Sequence, residues 1–150
     1  MTFPFPQTAR GWAILFIVLL VTGFGIYELS PSSRLKARHA ALIDWARSGA
    51  SGDFATSIAS SSYSDQWGYT PEEVGQRVRA ARFAWPRLSI EEDVPQVDQN
   101  GREATITQGI TVNSGEGETR RFTLHCTWVR ESFWPWSWKL RKVEAPDLVF

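Results

Sequence analysis

Proton-transfer chemistry needs an acid or base of tuned pKa and a donor placed to hold a developing negative charge. In this 150-residue chain the side chains that could supply them are few. Two histidines, His39 and His125, and one cysteine, Cys126, are present. Glu92 shares the strand phase of Leu88, Ile90 and Val94, which points it inward. Were Glu92 or Asp65 desolvated, its pKa would rise and it could act as a base near neutrality. His39 falls on the apolar face of a helix, and Gln108 interrupts an otherwise apolar strand face, while Trp128 falls on the apolar face of the following strand. Asp65, Glu92 and His39 are thus the catalytic candidates, and each has a competing structural role. A single helical histidine belongs at a core edge, a strand glutamine can bond neighbouring backbone, and acids near strand ends face water. The structural roles weigh more, so catalysis is the lesser expectation. A lone cysteine excludes an internal disulfide and a cysteine-rich metal site. The two histidines fall on opposite sides of the expected sheet, so no metal and no cofactor is expected.

The stretch that must position everything else is 11–29, GWAILFIVLLVTGFGIYEL, without a charge until Glu28. About 19 residues at ~1.5 Å rise make a rod of roughly 28 Å, close to the apolar thickness of a bilayer. Trp12 and Tyr27 mark its ends, where amphipathic rings favour the interface, and Phe16, Leu20 and Phe24 lie between them. A cleaved signal peptide is the competing reading; the long apolar run and the lack of a small-x-small site after it favour an uncleaved anchor. The chain then divides into a tail (1–10), a transmembrane helix (11–29) and one domain (30–150), and the expected setting is a bacterial cell membrane crossed once. Arg34, Lys36, Arg38 and Arg47 place the domain in the cytoplasm by the positive-inside count. A short tail before a single apolar segment instead translocates the domain behind it, and the balance tips to the extracytoplasmic side. Sixteen Lys and Arg balance sixteen Asp and Glu, so no nucleic-acid partner is indicated.

Within the domain, Ser30-Pro31 opens a helix over 31–48, with Leu35, His39, Leu42, Ile43 and Ala46 on one face. A second short helix is read over Asp53–Ser60, and the serines after it as a loop or short strand. Thr70-Pro71-Glu72-Glu73 is a capping box, starting a helix whose Val74, Val78, Ala81 and Trp85 share a face until Pro86. Strands are expected near 87–96, 102–113, 119–131 and 138–145, joined by Asn100-Gly101 and Ser114-Gly115-Glu116-Gly117 turns. Helices first and an antiparallel meander after them make an α+β layer.

The succession Ser48-Gly49, Gly52-Asp53-Phe54, Tyr63-Ser64-Asp65, Thr70-Pro71-Glu72-Glu73 and finally Trp138-Lys139-Leu140 resembles the nuclear transport factor 2-like (cystatin-like, ketosteroid isomerase-like) superfamily over about 31–147. The resemblance rests on element order. It implies a cone in which a curved antiparallel sheet wraps helices, with a pocket at the open end and often a dimer through the outer sheet face. It puts Tyr63 and Asp65 at the pocket rim, with Gln108 and Trp128 as further pocket residues. Its members include isomerases, dehydratases, cyclases and membrane-anchored assembly subunits, so fold does not name function. The base-plus-tyrosine-plus-protonated-acid pattern of the isomerases is not found here.

One loop stands out. Ser132-Phe133-Trp134-Pro135-Trp136-Ser137 joins two strands, and loop tips are normally polar. Phe133, Trp134 and Trp136 either fold back onto the domain, enter the headgroup region, or insert into a partner. The sequence therefore describes a membrane-anchored binding or assembly subunit whose partner is the membrane itself, another membrane protein or a second copy. A small apolar ligand is compatible with the pocket. The alternative is an anchored pocket enzyme of the isomerase, dehydratase or cyclase type.

Overall fold

The computed structural model describes residues 11, 13–21, 31–48, 54–134 and 137–148. Helix α1 is described over residues 13–21, where Ile14, Phe16, Ile17, Leu19, Leu20 and Val21 are all exposed. Trp12, Phe24 and Tyr27, expected at the ends and centre of a span, lie outside the described residues. Among the described residues no helix is long and apolar enough to cross a membrane.

Helix α2 (Pro31–Ser48) buries Leu35, His39, Leu42 and Ile43 on the face that its spacing marks out. Trp45 is buried as well, stacked on Phe54 with ring centroids 4.8 Å apart. Phe54–Ile58 forms a single π-type turn instead of the expected short helix, and the chain enters strand β1 (Ala59–Asp65) directly. Helix α3 (Pro71–Ala84) starts at the capping box. Glu73 N donates to Thr70 Oγ1 at 3.3 Å, and Thr70 N donates to Glu73 Oε2 at 2.8 Å.

Five further strands complete the sheet: β2 (Ser89–Glu92), β3 (Gln96–Asn100), β4 (Glu103–Asn113), β5 (Thr119–Arg130) and β6 (Trp138–Glu144). The order is β1-β6-β5-β4-β2, with β3 on the same edge of β4 as β2. The sheet is not wholly an antiparallel meander, because β1 returns parallel to β6. The expected single strand over 87–96 is broken as well. Glu92 pairs with Ile110 and Gln96 with Thr107, so Asp93, Val94 and Pro95 face only Gln108 and Gly109. This bulge turns Val94 outward, where it is 86 % exposed instead of inward in phase with Ile90. Opposite the bulge, Gly109 leaves room for the Asp93 carboxylate, which pairs with Arg121 at 2.5 Å; a Cβ at Gly109 would push that exposed carboxylate aside. A second irregularity, between Thr127 and Trp128 on β5, shifts the inward phase of β6 from Trp138 and Leu140 to Val143. Together these bulges curl the sheet around α2 and α3, and the packed core gathers Leu35, Ile106, Cys126, Trp128, Trp138 and Leu140, each fully buried.

Candidate functional site

The concave face of the sheet is filled at one end and hollow at the other. At the closed end, the first half of α2 packs on Ala104 and Ile106 of β4, Cys126 and Trp128 of β5, and the start of β6. At the open end a cavity of about 560 Å³ lies between the second half of α2, helix α3 and the sheet. Ile110 and Val112 of β4, with Phe122 and Leu124 of β5, form its floor. Leu42, Trp45 and Phe54 form one wall, and Val74, Val78 and Ala81 of α3 form another. That volume falls in the range of ordinary small-molecule sites. The face of α3 read from sequence as packing is therefore the face that lines the void: Val74 and Val78 are only half-buried.

Polar groups enter this cavity at Tyr63, Asp65 and Arg77. Asp65 ends β1 and organises the turn after it. Its Oδ1 accepts from Trp67 N at 2.9 Å and Tyr69 N at 3.0 Å, and its Oδ2 accepts from Tyr63 Oη at 3.1 Å. Burial, and then the adjacent Asp65 charge, push the Tyr63 phenol well above its ordinary value, so it stays a protonated donor. Three of about four acceptor positions on the carboxylate are thereby engaged by the chain itself. Arg77 extends from α3 with its guanidinium carbon 4.0 Å from the centre of the Tyr69 ring. Among the described residues no carboxylate lies within ion-pair distance of Arg77. Sequence reasoning passed over Arg77, although it falls three residues after Val74 and four before Ala81, on the face those residues define.

The remaining candidates lie elsewhere. Gln108 and Trp128, expected at the pocket, are not among the cavity's lining residues; both point inward, but at the closed end. There His39 Nε2 and Gln108 Oε1 are 2.7 Å apart, while Gln108 Nε2 donates to Asp93 O at 2.7 Å and Glu92 Oε2 at 3.1 Å. With the Gln108 amide so fixed, its oxygen must accept from His39, which assigns the proton to Nε2. Burial depresses the His39 pKa, outweighing the opposing effects of Gln108 and Glu92, so the ring is neutral at pH 7. His39 Nδ1 and Trp128 Nε1 are buried without hydrogen-bond partners, and the two rings meet edge-on at 6.1 Å. Glu92 does not enter the cavity: it sits on the β2 edge and pairs with Arg47 Nη2 at 3.2 Å. His125 lies on the other side of the sheet, its Nδ1 3.2 Å from Thr107 Oγ1. Burial pushes the Cys126 thiol up to about 12, which leaves it unreactive near neutrality. Among the described residues no group of three or more histidine, cysteine or acidic side chains could hold a metal.

The aromatic loop is at the closed end. Phe133 is 80 % and Trp134 55 % exposed, whereas Trp138 just beyond them is fully buried. Ser137 Oγ lies 3.0 Å from Ser132 O and 2.8 Å from Trp134 O, which fixes the bend. Trp136 lies outside the described residues.

No family model and no curated protein matches the chain. Solved structures do. The chain is similar to the Kfla4162 protein from Kribbella flavida, with TM-score 0.62, 14 % identity, and coverage of 76 % of this chain and 88 % of that one. A nuclear transport factor 2-like protein with a cystatin-like fold from Novosphingobium aromaticivorans aligns with TM-score 0.60 at 14 % identity, over 93 % of this chain and 89 % of its own. A CaMKII hub from S. rosetta aligns with TM-score 0.55 at 17 % identity, over 75 % and 93 % respectively. These likenesses establish the nuclear transport factor 2-like, cystatin-like fold, helices packed on a curved sheet, and nothing about activity.

Proposed function

We propose that this chain is a membrane-anchored binding protein that takes a small, largely apolar molecule into the open end of its cone. The observation that carries this is the cavity itself: about 560 Å³ of mainly apolar wall held open between α3 and the sheet. Binding is favoured over catalysis because Asp65, the one carboxylate among the described lining residues, is occupied in fixing its own turn and Tyr63. The other proton carrier, His39, faces Gln108 at the closed end. A general base must reach a substrate proton, and neither side chain is free to do so.

Support for the anchor comes from α1. Its described side chains are apolar and largely exposed, which in water would cost on the order of 10 kcal/mol at about 1.5–3 kcal/mol per large residue. A bilayer removes that cost. The start of α2, the next element, packs at the closed end, where Arg38 Nε donates to Trp138 O at 3.3 Å. Phe133 and Trp134 project from the same end, so in this reading they contact the membrane interface, and the cavity opens away from it.

The test uses full-length protein in lipid nanodiscs titrated with N-phenyl-1-naphthylamine, with the tryptophan emission of the chain as the reporter, to which Trp45 and Trp67 contribute from the cavity wall. Saturable quenching is expected in the wild type. Val78→Trp, which fills the void, should weaken binding at least tenfold while leaving the unfolding midpoint in place. Identical titrations for the two proteins would refute a cavity-bound ligand. Release of the chain from membranes by alkaline carbonate would refute the anchor.

A further inference from the structure

We infer that the cavity's ligand is an amphiphile with an anionic head, of carboxylate type, seated on Arg77, with its apolar body lying over Val74 and Val78. The inference rests on the cavity-binding reading above and adds the charge and orientation of the ligand. Two side chains of opposite charge border the cavity, and their states of satisfaction differ. Asp65 has its oxygens turned into the Trp67 and Tyr69 amides and the Tyr63 hydroxyl, at 2.9, 3.0 and 3.1 Å. Arg77 has no such set. Its guanidinium carbon lies 4.0 Å from the centre of the Tyr69 ring, the residue is exposed, and among the described residues no hydrogen bond or ion pair engages its N–H groups.

A guanidinium held against an aromatic ring and without an acidic partner can offer two parallel N–H···O bonds, the geometry that a carboxylate matches. The contact with Tyr69 restricts the side chain and reduces the freedom a ligand would otherwise have to remove. Most of the remaining wall is apolar, so a ligand charged throughout would be desolvated without compensation, whereas a molecule with charge at one end can keep its head on the exposed Arg77 and bury its body. Asp65 lines the same cavity, but its oxygens are engaged by the Trp67 and Tyr69 amides and the Tyr63 hydroxyl, so Arg77 is the charged lining group with capacity left for a ligand head.

The probes are 2-naphthoate and its neutral isostere 2-naphthamide, titrated at pH 7 into full-length protein in nanodiscs, with Val78→Trp nanodiscs supplying the bilayer background. Naphthoate should bind at least tenfold more tightly than naphthamide. Arg77→Met should abolish that ratio by weakening naphthoate alone, and Arg77→Lys should retain part of it. Equal affinities in the wild type would overturn the anionic-head assignment and leave the cavity reading intact. Arg77→Met weakening both probes alike would do the same, by reducing Arg77 to a structural residue. Binding of neither probe would overturn the cavity reading, and this inference with it.

Discussion

The two ends of the cone are built on the same strands and finished differently. At the closed end, β4, β5 and β6 meet α2 through Ile106, Trp128, Trp138 and Leu35, with no exposed surface on any of them. At the open end the same strands offer Ile110, Val112, Phe122 and Leu124, and α3 stands off from them. The chemistry of the two linings hardly differs; what differs is bulk. Tryptophans fill the space between helix and sheet at one end, while valine and alanine on α3 fail to fill it at the other. The polar groups show the same contrast in reverse. Gln108, deep in the closed end, has both its amide nitrogen and its oxygen engaged, by Glu92 and Asp93 on one side and His39 on the other. Arg77, on the open end, keeps its edges available. On the proposed reading, stability resides in the first region and ligand binding in the second.

Substitutions can separate the two. The largest effect belongs to Trp128→Ala, which empties the closed end and should cost about 3–5 kcal/mol in urea denaturation. A cost below about 1 kcal/mol would mean that the closed end is not the stabilising half. Gln108→Leu comes next, at about 1–3 kcal/mol, because the buried His39 Nε2–H loses its acceptor. The same variant should leave N-phenyl-1-naphthylamine binding unchanged; coupled loss would show that the ends are not independent.

Acid provides a smaller and graded probe. The folded His39 pKa lies below the usual 6.5, so under acid the unfolded chain binds a proton more readily than the folded one. The His39 contribution is complete above about pH 6.5 and is lost as pH falls toward the depressed folded value, with a slope of at most about 1.4 kcal/mol per pH unit for one proton. His39→Gln should flatten that part of the pH–stability profile, and an unchanged profile would assign the dependence to other groups. Val78→Trp should have the smallest effect on stability, within about 1 kcal/mol, because it enters space already empty.

The closed end was the more legible in sequence. Alternation over Ala104–Val112 and Phe122–Trp128 identifies the inward residues, and Thr70 with Glu73 marks the start of α3, because periodicity and capping are local properties. β1 was harder, since Ser60 to Ser64 has neither β-branched nor alternating character, and its pairing with β6 spans most of the domain. Glu92 and Val94 were placed by strand phase, which a one-residue bulge at Asp93–Pro95 reverses beyond the break. Trp45 falls off the helical face that Leu35 and Leu42 define, and it is buried because Phe54 folds back to cover it. The cavity itself was not legible, because a hollow depends on how far α3 stands from the sheet, a distance no local pattern encodes. Asp65 was visible as a carboxylate near the rim, but its engagement by Trp67 and Tyr69 amides depends on the turn the backbone takes after it.

The bulge that misleads strand phase also governs how the sheet ends. Among the described residues both margins of the sheet are open, at β1 and along β2 and β3. An intact margin would invite a neighbouring chain to add its own strand. On one side the ladder is interrupted midway by Pro95, which has no N–H to offer, and is flanked by Glu91, Glu92, Asp93 and Asp98. On the other, the pairing of β1 with β6 slips between Ala59 and Ser64 and the strand is short and serine-rich. Neither margin presents a long, straight, uncharged template, so the same irregularities that curl the cone guard it against polymerising edge to edge.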